Sequence, residues 1–387
     1  MKKLSVALVT LVAAGLAGAA QAECKFQKIA EVPVTMDGMR PTITAQINGQ
    51  DAHLTVSTGS FFSGVNPEAA AKYGMKRAAA PVGMEVRGIG GATRSIQAVS
   101  AESFSFAGMG FHHTEFLLAD RLGGGPIAGD VGENLMGPFD VEYDFAHGVM
   151  RYFKPEGCGY DTNLAYWSQG LAVSRLSLIE PTTILTKVIA NAKVDGHTIR
   201  VSFSSGGGLS ILSRAAAGRA GIKINDADVT RAGVTYGMYG KGLEAFLAPF
   251  ASFAIGEEEI KNTRLRVADL DLPNADMVLA ADFFLSHRIL ISNSQKRVYF
   301  TYNGGPVFRL DQAPTPATTA VAAAASEAPG GSPGVGARPP RPAPSSPGAG
   351  RRRRRGASSS RPSPTTARPS SWSPTTARTI ARAPCCA

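Results

Sequence analysis

Apolar and polar residues alternate over short runs through most of the body of the chain, the pattern of β-strands that bury one face. The runs 42–47 and 53–56 flank an Asn-Gly-Gln turn signal that is typical of a hairpin. Two longer runs with interspersed glycines, 104–111 and 141–153, are also typical of strands. Because long helical periodicity is scarce, the pattern predicts an all-β body with a few short helices.

Two short segments have the start and stop residues of helices. In the first, Asn66 is the expected N-cap, Pro67 lies in the first turn and Gly74 ends the helix. In the second, Ser213 is the expected N-cap and Gly221 the stop. Each segment follows a Ser-x-Gly turn at the same distance, which indicates an internal repeat.

The repeat covers five elements in the same order. A hairpin leads to a Ser-x-Gly turn at 57–59 in the first half and at 204–206 in the second. A short helix follows each turn, and then a glycine-rich hairpin, Val-Arg-Gly-Ile-Gly-Gly-Ala at 86–92 and Tyr-Gly-Met-Tyr-Gly-Lys-Gly at 236–242. A closing strand completes each half. Five copied elements in one order predict a duplicated β-lobe.

The repeat and the different composition of the two ends predict four segments. They are a signal peptide (1–22), a first lobe (23–165), a second lobe (166–312) and a disordered tail (313–387). The two lobes together are long enough for two hydrophobic cores.

The N-terminus has the three parts of a secretory signal. Lys2 and Lys3 are followed by an apolar stretch and by Ala20-Gln21-Ala22, which fits the small-x-small cleavage rule. The apolar stretch is short for a membrane-spanning helix. We therefore expect a cleaved signal and an exported protein, periplasmic or secreted, with an uncleaved signal anchor as the alternative.

The tail consists mainly of Ala, Pro, Ser, Thr, Gly and Arg, a composition that cannot bury enough surface to fold. It contains 11 arginines and one acid, Glu327, so its net charge of +10 equals the formal charge of the whole chain. Residues 1–312 are therefore neutral as a whole, and the folded body is not expected to bind nucleic acid. Three interpretations of the tail remain open: a contact segment for anionic membrane or nucleic acid, an incidental solvated extension, or an out-of-frame reading of a GC-rich gene.

Only two cysteines, Cys24 and Cys158, lie in the body of the chain. In an exported protein such a pair favours a disulfide. The bridge would close a loop of roughly 130 residues and stabilise the fold by about 4 kcal/mol through chain entropy. Two distant cysteines supply too few ligands for a metal, so no metal site and no cofactor are expected.

Two small β-lobes that each offer an apolar strand ending in x-[Ser/Thr]-Gly resemble the retropepsin-like and pepsin-like aspartic proteases. The chain most resembles exported bacterial proteins of the aspartyl protease family that contain two retropepsin-like domains in tandem. The segment Val-Gly-Glu-Asn-Leu-Met-Gly at 131–137 is similar to the end of that family's first lobe, and Ala-Asp-Phe-Phe-Leu at 281–285 to the end of its second. The resemblance implies two β-barrel lobes with the substrate bound between them.

The resemblance also assigns roles to residues of this chain. Ser57 and Ser204 stand where the family has its two catalytic aspartates. The rest of the two active-site turns is retained as Thr58, Gly59, Ser205 and Gly206. The glycine-rich hairpins correspond to flaps that close over a substrate strand, with Gly88, Gly90, Gly91, Gly237 and Gly240 as the flap residues.

Serine cannot replace the aspartates chemically. The family mechanism needs two carboxyl groups that share one proton, so that one activates a water and the other protonates the substrate carbonyl. A serine hydroxyl does not ionise near neutral pH. For covalent catalysis Ser57 would need an adjacent base, but His53 lies four residues away along the strand, about 13 Å.

The sequence therefore predicts a catalytically impaired member of the family that binds an extended peptide or protein segment in the cleft. Two alternatives remain open. One is an active endopeptidase that uses carboxylates outside the motif positions, for which Asp130 and Asp282 are the nearest candidates. The other is a non-catalytic structural protein of the cell envelope.

Overall fold

The computed structural model describes residues 23–308, apart from the short gaps 81–84, 90, 121, 123–124, 180–187, 238–241 and 273. The predicted signal peptide and the predicted tail from 313 onward lie outside the described residues. No helix in the described part of the chain has the length and apolar character needed to cross a membrane.

Strands dominate the structure. In the first half they are β1 (Lys25–Pro33), β2 (Thr35–Asp37), β3 (Arg40–Ile47), β4 (Gln50–Val56), β5 (Gly64–Val65), β6 (Lys76–Ala78), β7 (Val86–Gly88), β8 (Gly91–Thr93), β9 (Gln97–Phe106), β10 (Met109–Leu118), β11 (Ile127–Val131), β12 (Asp140–Asp144) and β13 (Val149–Glu156). In the second half they are β14 (Ser174–Ser177), β15 (Ile189–Val194), β16 (His197–Phe203), β17 (Ile211–Ser213), β18 (Thr230–Thr235), β19 (Leu243–Ile255), β20 (Glu258–Ala268), β21 (Met277–Leu279), β22 (His287–Ser292) and β23 (Arg297–Tyr302).

The helices are short. They are α1 (Pro67–Lys72), α2 (Glu133–Met136), α3 (Arg214–Arg219) and α4 (Ala281–Ser286), with one 3-10 turn at Phe145–His147. The two predicted helices are confirmed as α1 and α3. The side chain of Asn66 accepts a hydrogen bond from the Ala69 amide, and that of Ser213 from the Ala216 amide, so both predicted N-caps are present.

Each half of the chain closes into a barrel. The strands β3-β4-β11-β5-β10-β9 form the first barrel, which closes by pairing of β3 with β9. The strands β15-β16-β21-β17-β20-β19 form the second, which closes by pairing of β15 with β19. Closure removes free strand edges and encloses the apolar faces that the alternation predicted. The predicted all-β fold with two β-barrel lobes and a few short helices is therefore confirmed.

A six-stranded sheet joins the two lobes, in the order β1-β13-β12-β22-β23-β14. Its central contact pairs β12 of the first half with β22 of the second, with Val141 opposite Ile291 and Tyr143 opposite Ile289. The sequence predicted only that a closing strand ends each half. The structure shows that these closing strands pair with each other and make the two lobes one unit.

The first strand is tied to this sheet by a disulfide. Cys24 and Cys158 form the bridge, with their Cα atoms 4.3 Å apart. Beside it, β1 pairs with β13, and the rings of Phe26 and Phe153 stack with their centroids 4.3 Å apart. The bridge therefore links the start of the folded chain to the end of the first lobe.

Candidate active site

Two Ser-x-Gly turns lie at the ends of equivalent strands. Ser57 follows β4, which runs parallel to β11, and its amide donates to the carbonyl of Val131 at 3.0 Å. Ser204 follows β16, which runs parallel to β21, and its amide donates to the carbonyl of Leu279 at 2.8 Å. The repeated sequence thus folds into the same local structure twice, with a serine at the head of each turn.

A reciprocal set of hydrogen bonds holds the two turns together. The Thr58 hydroxyl donates to the Phe203 carbonyl at 2.9 Å and accepts from the Ser205 amide at 3.0 Å. The Ser205 hydroxyl donates to the Val56 carbonyl at 2.7 Å and accepts from the Thr58 amide at 3.1 Å. Thr58 and Ser205 are both buried. The four bonds therefore also satisfy main-chain groups that solvent does not reach.

The serines at the turn heads pack against the glycines of the opposite turn. A Cβ atom on Gly59 would lie only 2.7 Å from the Cβ of Ser204, and one on Gly206 only 2.8 Å from the Cβ of Ser57. Glycine is needed at both positions because any side chain would separate the turns. The structure therefore brings Ser57 and Ser204 together across the boundary between the lobes.

Replacing Thr58 with valine tests how strongly this contact joins the lobes. The change keeps the shape of the side chain but leaves the Phe203 carbonyl and the Ser205 amide buried without partners. We expect the free energy of unfolding to fall by about 3 kcal/mol. The measurement is urea denaturation followed by circular dichroism. Thr58→Ser, which retains the hydroxyl, is the matched control, and an equal loss in both variants would contradict the explanation.

A second pair of polar contacts lies behind each turn. In the first lobe the Asn134 side chain accepts from the amide and hydroxyl of Ser63, at 2.9 and 2.8 Å. In the second lobe Asp282 takes the same place and accepts from the amide and hydroxyl of Ser210, at 3.0 and 2.6 Å. Burial raises the pKa of Asp282 to about 6, while the hydrogen bonds from Ser210 lower it in part.

The first lobe has an additional buried carboxyl group close to the turn. The Ser57 hydroxyl donates to the Ser60 hydroxyl at 2.9 Å, and the Ser60 hydroxyl donates to Asp130 Oδ2 at 2.8 Å. Burial raises the pKa of Asp130 to about 7, and the hydrogen bond from Ser60 lowers it only in part. Asp130 lies opposite Thr55 in the pairing of β11 with β4. At the equivalent place in the second lobe Val278 lies opposite Ser202, so the residue that corresponds to Asp130 is apolar there.

The first predicted flap is a hairpin in the structure. Its strands β7 and β8 pair with Gly88 opposite Gly91, which places Ile89 at the tip. The second predicted flap joins β18 to β19, and its Gly237 lies against the main chain of Ile89. The tip of the first flap therefore contacts the second flap at Gly237. The predicted flap residues Gly90 and Gly240 lie outside the described residues.

The side chains at the turn heads are hydroxyls, which can donate and accept hydrogen bonds but cannot act as a base or an acid near neutral pH. Asp130 is linked to Ser57 through the Ser60 hydroxyl. In the described part of the chain, no group of three or more His, Cys, Asp or Glu side chains is placed to hold a metal ion.

Residues 43–137, which form most of the first barrel and continue through α2, match the sequence model of the family described as Aspartyl protease. The first lobe is aspartyl protease-like. A solved structure to which the chain is similar is the aspartic proteinase from Irpex lacteus, with 10% sequence identity, a TM-score of 0.43 and coverage of 72% of this chain and 97% of that one. No curated protein matches the chain.

The site contains residues that sequence reasoning did not single out. Ser60 connects Ser57 to Asp130, and Ser63 and Ser210 hold the groups behind the turns. The repeat itself carried a signal for the last two, because each lies six residues after its turn-head serine. Ser60 has no such signal, since the matching position in the second turn is Gly207.

Proposed function

We propose that this protein binds an extended peptide or protein segment in the cleft between its two lobes without hydrolysing it. The observation that carries the proposal is the pair of serines, Ser57 and Ser204, at the heads of two turns that otherwise keep their mutual contacts. The reciprocal bonds of Thr58 and Ser205 preserve the scaffold, whereas the groups needed for proton transfer are replaced by hydroxyls.

Peptide binding is supported by the arrangement above the turns. Two hairpins meet at Ile89 and Gly237, and hairpin edges offer main-chain groups that can pair with an added strand. The space between turns and flaps is therefore suited to a chain in extended conformation. Export of the mature protein to the periplasm or the medium is part of the same proposal, supported by the N-terminal signal pattern and by the Cys24–Cys158 bridge.

The runner-up is an active endopeptidase with displaced carboxylates, and Asp130 is the observation that favours it. This group lies behind the first turn and is linked to Ser57 through the Ser60 hydroxyl. Val278 occupies the position in the second lobe that corresponds to Asp130. Asp130 therefore lacks an equivalent carboxyl group with which it could share a proton. The arrangement therefore favours binding over hydrolysis.

The test compares hydrolysis with binding. The unmodified mature protein is expected to show no pepstatin-sensitive cleavage of fluorescein-labelled casein between pH 3 and pH 8. The same labelled casein, an unfolded chain, is expected to bind to the protein. The double variant Ser57→Asp, Ser204→Asp is expected to gain acid-range cleavage, and each single variant is not, because one carboxylate has no acid partner.

The double variant is made both alone and together with Asp130→Asn. Asp130 already accepts a hydrogen bond from Ser60, so its carboxylate would repel a second carboxylate introduced at position 57. Pepstatin-sensitive hydrolysis that co-purifies with the unmodified protein would overturn the proposal in favour of the endopeptidase. Absence of casein binding together with absence of hydrolysis would favour a structural role.

A further inference from the structure

The sequence contains two Asn-Gly dipeptides, Asn48-Gly49 and Asn303-Gly304. Asparagine is among the chemically labile residues of proteins, and a following glycine exposes it further, because a main-chain nitrogen without a neighbouring Cβ can approach the side chain freely. Asn48-Gly49 forms the hairpin turn between β3 and β4, whereas Asn303-Gly304 follows directly on β23. The same pair of residues therefore occurs in two different settings of one molecule.

The Asn48 side chain is held at both ends. Its Nδ2 donates to the Tyr73 carbonyl at 2.8 Å, and its Oδ1 accepts from the Ser103 amide at 3.1 Å. The main-chain amide of Asn48 also donates to the Ser103 carbonyl, at 2.8 Å. Both side-chain hydrogen bonds must break before this side chain can turn towards the nitrogen of Gly49.

The Asn303 side chain is held more weakly. The residue is exposed, and its Nδ2 donates to Asp144 Oδ1 at 3.3 Å, which is long for such a bond. Two glycines follow, Gly304 with a φ of 105° and Gly305 with a φ of 82°, so the main chain after Asn303 has conformations that only glycine adopts readily. A single long hydrogen bond of the side chain therefore stands against its approach to the Gly304 nitrogen.

We propose that Asn303-Gly304 is a site of spontaneous deamidation, and that this modification loosens the junction between the two lobes. The Gly304 nitrogen attacks the side-chain carbonyl carbon of Asn303, and the new C–N bond closes a succinimide ring. The carboxamide nitrogen leaves as ammonia, while solvent takes the proton of the Gly304 amide and supplies the proton that the leaving group needs. Water then opens the ring at one of its carbonyl carbons and leaves aspartate or isoaspartate, without oxidation or reduction. The inference does not depend on peptide binding in the cleft.

Asn303 joins the ends of three elements at this junction. It follows β23, its amide donates to the carbonyl of Ser286 at the end of α4 at 2.8 Å, and its side chain contacts Asp144 at the end of β12. Strand β12 comes from the first half of the chain and pairs with β22 of the second. Asp144 is buried, and His147 Nδ1 lies 2.6 Å from the same carboxylate oxygen that Asn303 contacts.

Deamidation replaces a hydrogen-bond donor at this junction with a negative charge. The group that donates to Asp144 becomes a carboxylate, and two carboxylates at this distance repel each other. Arg151 and Arg288 lie 3.9 and 3.8 Å from the other carboxylate oxygen of Asp144, but both are already paired with Glu142. Isoaspartate in addition lengthens the main chain by one methylene at the end of β23. Both products therefore weaken the contact between β23 and β12.

The reaction is measured on the unmodified full-length protein, incubated at pH 8 and 37 °C and sampled over several weeks. Mass spectrometry of proteolytic peptides gives the deamidated fraction at Asn303 and at Asn48, which is the control within the same molecule. Asn48 is expected to react about tenfold more slowly, because its two side-chain hydrogen bonds must break first. In concentrated urea, where neither side chain is held, the two rates are expected to converge. Equal rates in the native protein, or a faster reaction at Asn48, would overturn the site.

The effect on the junction is measured with Asn303→Asp, which carries the aspartate product from the start. Its melting temperature, followed by circular dichroism, is expected to be about 3 °C lower than that of the unmodified protein, the size of effect that loss of one hydrogen bond has in a chain of this length. Asn191→Asp adds the same charge at an exposed position of β15 and is the matched control, with little change expected. Equal melting of Asn303→Asp and the unmodified protein would overturn the loosening.

Asn303→Gln separates deamidation from other changes during incubation. It keeps the carboxamide, but its longer side chain closes the ring much more slowly. The melting temperature of this variant is expected to stay constant over the incubation, while that of the unmodified protein falls towards the value of Asn303→Asp. An equal fall in both proteins would show that the modification at residue 303 is not its cause and would also overturn the loosening.

Discussion

The Asp130→Asn variant is expected to lose less stability than the unmodified protein on going from pH 4 to pH 8.5, a range over which the unmodified protein becomes less stable. Burial raises the pKa of Asp130 to about 7 from an ordinary value of 3.8. Since the folded pKa is higher than the unfolded one, the folded state binds more protons between these two values. The free energy of unfolding therefore falls as the pH rises through this window, by on the order of 4 kcal/mol for this group.

Asparagine retains an oxygen that can accept from Ser60 but carries no charge to bury, so the contribution of this site no longer changes with pH. The slope that remains has two further sources, because burial raises the pKa of Glu133 to about 8 and that of Asp282 to about 6. Combining Asp130→Asn with Glu133→Gln is expected to flatten the curve further. Denaturation midpoints in urea at half-unit pH intervals measure both effects.

The control is Glu115→Gln, which removes an exposed carboxylate from β10 of the same lobe. It is expected to leave the pH dependence unchanged. If Asp130→Asn follows the same curve as the unmodified protein and Glu115→Gln, the Asp130 carboxyl group does not have a raised pKa in the folded state.

The second large effect is expected from loss of the disulfide. The double variant Cys24→Ser, Cys158→Ser frees a loop with 134 positions between its ends. It is expected to be about 4 kcal/mol less stable, because the unfolded chain regains the entropy that the bridge removes. The stacked rings of Phe26 and Phe153 and the pairing of β1 with β13 remain, so the variant is expected to fold with the same secondary structure.

Guanidinium denaturation of the oxidised protein, the reduced protein and the double variant measures this effect. The reduced protein and the variant are expected to coincide. Alkylation of Cys24 or Cys158 in the native, unreduced protein would show that the bridge is absent. Cys385 and Cys386 lie outside the described residues and are left unchanged in all samples.

Short-range features of this protein follow from the order of residues along the chain. Asn48 and Gly49, the predicted hairpin turn, both have positive φ, which few other residue types adopt readily. Asn66 and Ser213 cap the helices that they precede. All of these depend on neighbours within a few positions, so the local pattern contains the information that specifies them.

The repeat predicts more than local structure. Two copies of one turn predicted that Ser57 and Ser204 occupy equivalent places, and the structure puts each against the glycine of the other turn. Alternation predicted strands that are apolar on one face, and each sheet buries that face by closing into a barrel, which the resemblance had implied. The absence of carboxylates at the turn heads needed only the sequence and the chemistry of serine.

Sequence alone thus determined the strands, the capped helices, the duplicated lobe and the residue types at the two turn heads. The tertiary structure decided which distant elements meet: β12 with β22, Asp130 with Ser60, and Ile89 with Gly237. A period of two specifies which face of a strand is buried, but it does not specify the partner strand. Partners far apart in the chain are chosen by the packing of the complete fold, since the cost of closing a long loop depends only weakly on its length.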